Sequence, residues 1–274
     1  MKKILVPTDF SPQAENALHV AAQLAKKHDA EIYLLHLLEL PLHQVDALSA
    51  HSDLPEAVFF MKLAHKRFEE VMSKDYLQDV VVHETVEFHQ SFTALIDTCR
   101  EKNVDLIVMG SHGVSGFKEM FIGSNTEKVV RTSDIPVLVI KNAHENFEVN
   151  DFVFASDFTK DNKATYKQAA QMAEAFDAKM HLVMVNTANN FTTTAKAKER
   201  IASFTKDYSY KNSTINIYND ETVEQGILNF SQSINADLIG ISTHGRQGIA
   251  HFFNGSISED LVNHAKRPVV TFKI

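Results

Sequence analysis

The stretch GSHGVSGFKEMFIGS, residues 110–124, decides how the rest of the chain is read. It follows the apolar run Leu106-Ile107-Val108-Met109 and precedes a segment of helical character from Ser124 to about Thr132. A glycine-rich loop between a buried strand and a helix leaves backbone N–H groups pointing outward where the helix dipole favours negative charge. Such a loop is a phosphate cradle. Its spacing is Gly110, two residues, Gly113, nine residues, then Gly123 and Ser124. Isolated glycines would only permit tight turns, and Ser124-Asn125-Thr126-Glu127 also has the form of a capping box. Three glycines and a serine at fixed spacing between strand and helix favour the phosphate reading.

The segments before the loop alternate. Ile4-Leu5-Val6 runs into the polar tip Pro7-Thr8-Asp9, and Ser11-Pro12 starts a helix whose Ala17, Val20, Ala21 and Leu24 share one face. Glu31 to Leu37 is apolar throughout its middle, as expected of a strand covered on both faces. A long connection with Pro41, His43, His51 and Pro55 leads to a helix through Phe59, Leu63, Phe68 and Val71. A β-branched strand over 80–86, a helix over 91–102 and a last strand over 137–140 complete the series. The order β-α-β-α-β-α-β-α-β implies a doubly wound, five-stranded parallel sheet with right-handed crossovers.

The pattern then restarts. Residues 142–150 are polar and acidic without periodicity and read as a linker, and Phe152-Val153-Phe154-Ala155-Ser156-Asp157 mirrors the opening strand. Asp157 follows Asp9, and Asp177 follows Asp29, at one interval of 148 residues. The loop recurs in part at Ser242, Gly245, Gly255 and Ser256, where the interval from Gly113 to Gly245 is 132. The second copy is therefore 16 residues shorter between its second strand and its loop, where the first carries the insertion around His43 to Pro55. An internal repeat explains this, with domains at 1–141 and 151–274. A strand over 214–218, a helix over 222–234 and strands over 238–241 and 269–272 continue the second copy.

Composition restricts the function. A chain of 274 residues, with 44% hydrophobic and 23% charged residues, suits two ordinary globular domains. No stretch reaches transmembrane length, and the N-terminus turns polar too soon for a signal peptide, so a cytoplasmic location is expected. The single cysteine, Cys99, excludes an internal disulfide and reads as a packed, inert thiol. A net charge of -8 argues against general nucleic-acid binding, although backbone amides can still hold one triphosphate. The 14 histidines are scattered without ligand spacing, so no metal site is expected. A Walker lysine motif, a Gly-x-Gly-x-x-Gly fingerprint and a Gly-x-Ser-x-Gly elbow are all absent from the sequence.

In open α/β sheets ligands bind outside the carboxyl ends of the strands where strand order reverses. The tips after strands one and four, Pro7-Thr8-Asp9 and Met109-Gly110, would face one crevice. Asp9 accepts from a base amino group or a ribose hydroxyl, Leu37 and Met109 sandwich an apolar base, and the loop takes the phosphates. On these residues the chain resembles the universal stress protein family in its tandem form, over nearly its whole length. The spacing from Gly110 to Ser124 is similar to the signature of ATP-binding members.

The resemblance implies an adenine nucleotide alpha hydrolase-like or flavodoxin-like sheet order, and ATP, with or without Mg²⁺, as ligand. The implied contacts are Pro7, Thr8, Asp9, Leu37, Met109, Gly110, His112, Gly113, Gly123, Ser124, Asn125 and Thr126. In the second domain they are Ala155, Ser156, Asp157, Val185, Ile241, Ser242, Gly245, Arg246, Gly255 and Ser256. It also implies that the last strands, 137–140 and 269–272, pair within the chain as a pseudo-dimer, with a further homodimer open; on net charge and the lack of a transmembrane stretch, neither nucleic acid nor membrane is expected as partner. The second copy departs at Ser242 for the first glycine, at Ala155-Ser156 for Pro7-Thr8, and at Arg246 and Gln247. A Cβ in place of the first glycine matters only if that position needs positive φ or close approach. His112 and His244 occupy equivalent loop positions without a nucleophile beside them, so they orient the loop. Three readings follow: an ATP-binding stress-response module with at most slow hydrolysis, an adenine-nucleotide hydrolase or transferase, and an interaction protein with vestigial sites.

Overall fold

The computed structural model of the protein describes residues 1–38, 54–88, 93–111, 123–159, 163–243 and 264–274. The first half contains β1 (Lys3–Pro7), α1 (Pro12–His28), β2 (Glu31–Leu38), α2 (Leu54–Met72), a 3₁₀ turn (Asp75–Leu77), β3 (Val82–Phe88), α3 (Thr93–Lys102), β4 (Leu106–Gly110), α4 (Ser124–Thr132) and β5 (Val137–Ile140). The second contains β6 (Asp151–Ala155), α5 (Lys163–Phe176), β7 (Lys179–Asn186), α6 (Thr194–Thr205), β8 (Ser213–Asn219), α7 (Val223–Ser233), β9 (Leu238–Thr243) and β10 (Val269–Lys273).

The ten strands among the described residues form one sheet in the order β3-β2-β1-β4-β5-β10-β9-β6-β7-β8. Within each half every pairing is parallel and the order is 3-2-1-4-5, reversing between the first and fourth strands. The halves join where β10 runs antiparallel to β5, with Val269 opposite Val139, Val270 opposite Leu138 and Thr271 opposite Val137. One core layer packs α1, α2, α5 and α6 against one face of the sheet, and another packs α3, α4 and α7 against the opposite face.

The repeat is legible in the backbone. Seven non-glycine residues have positive φ among those described, and six of them form three equivalent pairs: Phe10 with Phe158, Asp29 with Asp177, and Asn103 with Asn235. The first two pairs keep the 148-residue interval and the third keeps 132. A carboxylate clamp repeats as well. Asp105 Oδ2 accepts from the N–H groups of Lys2 and Lys3, and Asp237 Oδ2 accepts from those of Asn150 and Asp151, fastening the start of β1 and β6 to the fourth strand of each half.

Residues 142–150 do more than connect. Phe147 and Val149 are buried, and the Gln23 side chain on α1 donates to the His144 carbonyl and accepts from the Phe147 N–H. The absence of periodicity concealed two apolar anchors. The third strand also lies later than expected, at Val82–Phe88, because the 3₁₀ turn occupies 75–77.

Ser11 caps α1 by accepting from the Ala14 N–H, and Pro12 opens its first turn. That start lies directly over Gly110. A Cβ on Gly110 would fall 2.7 Å from the Gln13 carbonyl oxygen and 2.8 Å from its carbon. No described glycine has positive φ, so the requirement at this position is close approach of backbone. Gly110→Ala therefore forces α1 away from β4 and is expected to destabilise the protein by about 1–3 kcal/mol, read from the midpoint of urea unfolding.

Cys99 lies fully buried on the inner face of α3, and burial pushes its thiol up to about 12, with Asp134 adding to the effect. Because the thiol remains protonated far above neutrality, the native protein at pH 8 is expected to leave Cys99 unmodified by a disulfide reagent, and denaturant should release one reactive thiol.

Candidate functional site

The turn after β1 is built from its own side chains. The Phe10 N–H donates to Thr8 Oγ1 at 3.0 Å, and the Ser11 N–H donates to Asp9 Oδ1 at 3.0 Å. Phe10 has φ 60°, a costly conformation for a large aromatic residue. Its ring offsets that strain by packing edge-on against Phe68 of α2 at 5.2 Å. With the ring turned inward, Asp9 remains exposed at the tip of β1. His36 on β2 holds the turn from the other side. Its Nδ1 meets the Thr8 carbonyl at 2.8 Å, and since a carbonyl only accepts, the proton sits on Nδ1.

The crevice between β1 and β4 brings the expected residues together at the carboxyl ends of those strands. Pro7 ends β1, and Met109 and Gly110 end β4. Leu37 and Met109 belong to the same apolar cluster on the α3/α4 face, the arrangement needed to flank a flat apolar group from one side of the sheet. The ends of the glycine loop are tied to the sheet and to each other: the Ser111 N–H donates to the Ile140 carbonyl and the Gly123 N–H to the Ser111 carbonyl, at 3.0 and 2.8 Å. Thr126 is buried, and its hydroxyl donates to the Gly110 carbonyl at 2.9 Å. That bond fastens the first turn of α4 to the tip of β4.

The helix start differs from the capping-box expectation. Gly123 is the N-cap, and Ser124 is the first residue of α4. With the Gly123 N–H bonded to Ser111, Gly123 sits at φ -57°, ψ 140°, outside helical geometry, so the cap falls one residue earlier than the capping box at Ser124 would place it. Gly123 has no side chain to cap with, so α4 begins without the side-chain acceptor that opens α1. Asn125 is exposed on the first turn. His112 and Gly113 lie outside the described residues, as do His244, Gly245, Arg246, Gly255 and Ser256.

The second half repeats the β-turn with different exposure. The Phe158 N–H donates to Ser156 Oγ and the Thr159 N–H to Asp157 Oδ1, at 3.0 and 3.1 Å, and Phe158 has φ 54° with its ring against Phe204 at 5.3 Å. Yet Ala155, Ser156, Asp157 and Val185 are all buried, whereas Asp9 is exposed and Pro7, Thr8 and Leu37 are half-buried. Arg200 of α6 reaches over the turn and donates to the Asp157 carbonyl at 3.5 Å. Ile241 and Ser242 at the end of β9 are fully buried, and the Ser242 hydroxyl bonds the Thr165 hydroxyl of α5 at 2.7 Å. Thr165 stands at the 148-residue interval from Ala17 and Ser242 at the 132-residue interval from Gly110. A small pair in one half is thus a hydrogen-bonded hydroxyl pair in the other.

A cavity of about 590 Å³ opens on the α1/α2 side of the β2 tip, lined in part by Asp9, Phe10, His36, Leu38, Leu63 and Arg67. It lies on the side of the sheet opposite Leu37 and Met109. Sequence reasoning passed over His36 and Phe10. A lone histidine in an apolar strand carries no motif, and phenylalanine does not advertise a left-handed turn; the repeated Asp-Phe pair at Asp9-Phe10 and Asp157-Phe158 is the signal available. Among the described residues no three His, Cys, Asp or Glu side chains converge as a metal site, and no helix is long and apolar enough to cross a membrane.

A model of the universal stress protein family matches the chain twice, over residues 1–141 and 149–273. The chain is 37% identical over 154 residues to the universal stress protein MJ0577 of Methanocaldococcus jannaschii, covering 51% of this chain and 94% of the relative. It is 23% identical to the universal stress protein Slr1230 of Synechocystis, which it matches over 100% of both chains. A universal stress protein of Archaeoglobus fulgidus of known crystal structure shares the fold with a TM-score of 0.68 at 22% identity, covering 99% of this chain and 98% of that one. With both halves of the chain matched, the protein belongs to the universal stress protein family.

Proposed function

We propose that the first half binds ATP and that the protein works as a stress-response binding or signalling module in the cytoplasm, with at most slow hydrolysis. Its units are 1–141 and 151–274, joined by 142–150. The observation that carries the reading is the mounting of the glycine loop. Gly110 ends β4 against the backbone of α1, Thr126 fixes the start of α4 to the Gly110 carbonyl, and Gly123 ties back to Ser111. These bonds hold the N-terminus of α4 beside the crevice, where a helix favours anions. The loop between them carries Gly113 at the spacing that the family resemblance associates with ATP. Asp9 at the open tip of β1 is the acceptor for a ribose or base donor, and Leu37 and Met109 offer the apolar wall. Among the described residues at the tips none pairs a nucleophile with a base, which supports binding over turnover.

In this reading one half carries the site. In the second half the tip residues are buried, Arg200 covers the turn, and the Ser242 hydroxyl is engaged with Thr165. Calorimetry of nucleotide-free protein is expected to give one ATP per chain, with binding abolished by Gly113→Val and unchanged in stoichiometry by Ser242→Gly. Silent titration, together with no adenine nucleotide released from the purified protein on denaturation, would overturn the reading. Two equivalents per chain would overturn the assignment to one half. Rapid steady-state ATP hydrolysis would move the protein to the hydrolase class.

A further inference from the structure

At the amino ends of β1, β4 and β5, away from the glycine loop, a cavity of about 520 Å³ lies between the two halves, within the size range of binding sites. Val104, Pro136 and Met172 give it an apolar floor, and Asp134 and Gln171 stand at its edges. The repeat supplies a filled counterpart. Gln171 and Met172 of α5 correspond to Gln23 and Leu24 of α1 at the 148-residue interval, and Val104 and Pro136 correspond to Ala236 and Pro268 at the 132-residue interval.

The connecting segment occupies that counterpart groove. Asn142 Nδ2 donates to the Lys266 carbonyl at 3.3 Å. Gln23 holds the backbone of the segment with both ends of its amide, donating to the His144 carbonyl at 2.9 Å and accepting from the Phe147 N–H at 2.6 Å. Phe147 is buried there, whereas Gln171, the counterpart of Gln23, is exposed. Ile274 is the counterpart of Asn142, and Met1, which also lines the cavity, is the counterpart of Val149. Residues 143–148 have no counterpart among the described residues, and the cavity stands in their place.

Charge separates the two grooves. The connecting segment carries Glu145 and Glu148, and the groove that holds it has Lys27, Lys266 and Arg267. At the equivalent positions the cavity has Ala175, Asp134 and Ile135, so three cations are absent and one carboxylate is added. Asp134 meets Arg100 at 3.2 Å, an exposed pair that water screens. An acidic segment therefore suits the filled groove, and a basic one suits the cavity.

We propose that this cavity docks an extended peptide segment of a partner protein, with an aromatic side chain on the apolar floor and lysine or arginine beside it. Gln171 holds the backbone of that segment as Gln23 holds the connecting segment, and Asp134 faces its cation. The cavity and the glycine loop lie at opposite ends of the strands, so the docking does not depend on the nucleotide site.

The test is calorimetry and NMR amide-shift mapping on the full chain with capped peptides of residues 143–148, one as they stand and one carrying Glu145→Lys and Glu148→Lys. The lysine peptide is expected to bind and to shift the amides of Val104 and Gln171, and the glutamate peptide to bind at least about tenfold more weakly. Adding Phe147→Ala to the lysine peptide is expected to cost at least about tenfold. In the protein, Gln171→Ala is expected to weaken the lysine peptide about fivefold. Asp134→Lys restores the charge found at Lys266 and is expected to reverse the preference between the two peptides, with the far-ultraviolet circular dichroism that of the parent in both variants. No binding of the lysine peptide at millimolar concentration, equal binding of the glutamate peptide, or shifts confined to other surfaces would overturn the proposal. Indifference to Gln171→Ala or a preference unmoved by Asp134→Lys would do the same.

Discussion

The antiparallel contact between β5 and β10 is the constraint on which the rest of the molecule depends. A five-stranded parallel sheet ends in a strand whose outer N–H and C=O groups face away from the fold, and such an edge invites pairing with another chain. Here each half closes the edge of the other. Val137, Leu138, Val139, Val269, Val270 and Thr271 are all buried at the junction. Because the strands run antiparallel, the halves meet about an approximate two-fold axis. The core layers on the two faces then run through from one half to the other, Leu138 and Ile140 sharing a cluster with Val270 and Phe272. With the seam fixed, the carboxyl ends of β1 and β4 and those of β6 and β9 are each placed by parallel neighbours, so the two crevices are set by the same geometry.

The sequence made the architecture accessible because the physical signals were redundant. Apolar runs mark the buried parallel strands, Ser11-Pro12 marks a helix start, and two fixed intervals mark the repeat. The three pairs of left-handed residues, Phe10 with Phe158 among them, show how closely those intervals track backbone conformation. What escaped notice depends on partners distant in sequence. Gly110 is small because the Gln13 backbone lies against it, roughly a hundred residues earlier in the chain. The buried Phe147 and Val149 of the connecting segment lacked periodicity because that segment follows the surface of α1 and has no regular structure of its own. The capping-box pattern at Ser124 was a true local signal, overridden when Gly123 was tied to Ser111.

The differences between the halves are coupled changes, and that coupling is the strongest argument about function. Where the first half has Ile4 and Val108, the second has Phe152 and Gly240, and a Cβ on Gly240 would fall 2.7 Å from the Phe152 ring. Volume has moved from one strand to its neighbour while the layer stays filled. Where the first half has Ala17 and Gly110, the second has Thr165 and Ser242, whose hydroxyls satisfy each other in a place without water access. Neither change weakens the fold, since each is met by its partner. The Gly110 to Ser242 change engages the added hydroxyl with Thr165 inside the scaffold.

The same holds at the strand tips. In both halves a left-handed phenylalanine buries its ring and two short side chains cap the turn, so the scaffold of the tip is common property. In the second half the Arg200 guanidinium lies against the turn and the aspartate is buried, whereas Asp9 is exposed. The two tips therefore share their packing and differ in exposure and in the polar groups engaged at the turn. The open tip at Asp9 is then the informative one, because an exposed carboxylate beside a strained turn contributes nothing to packing that the buried Asp157 does not contribute equally well.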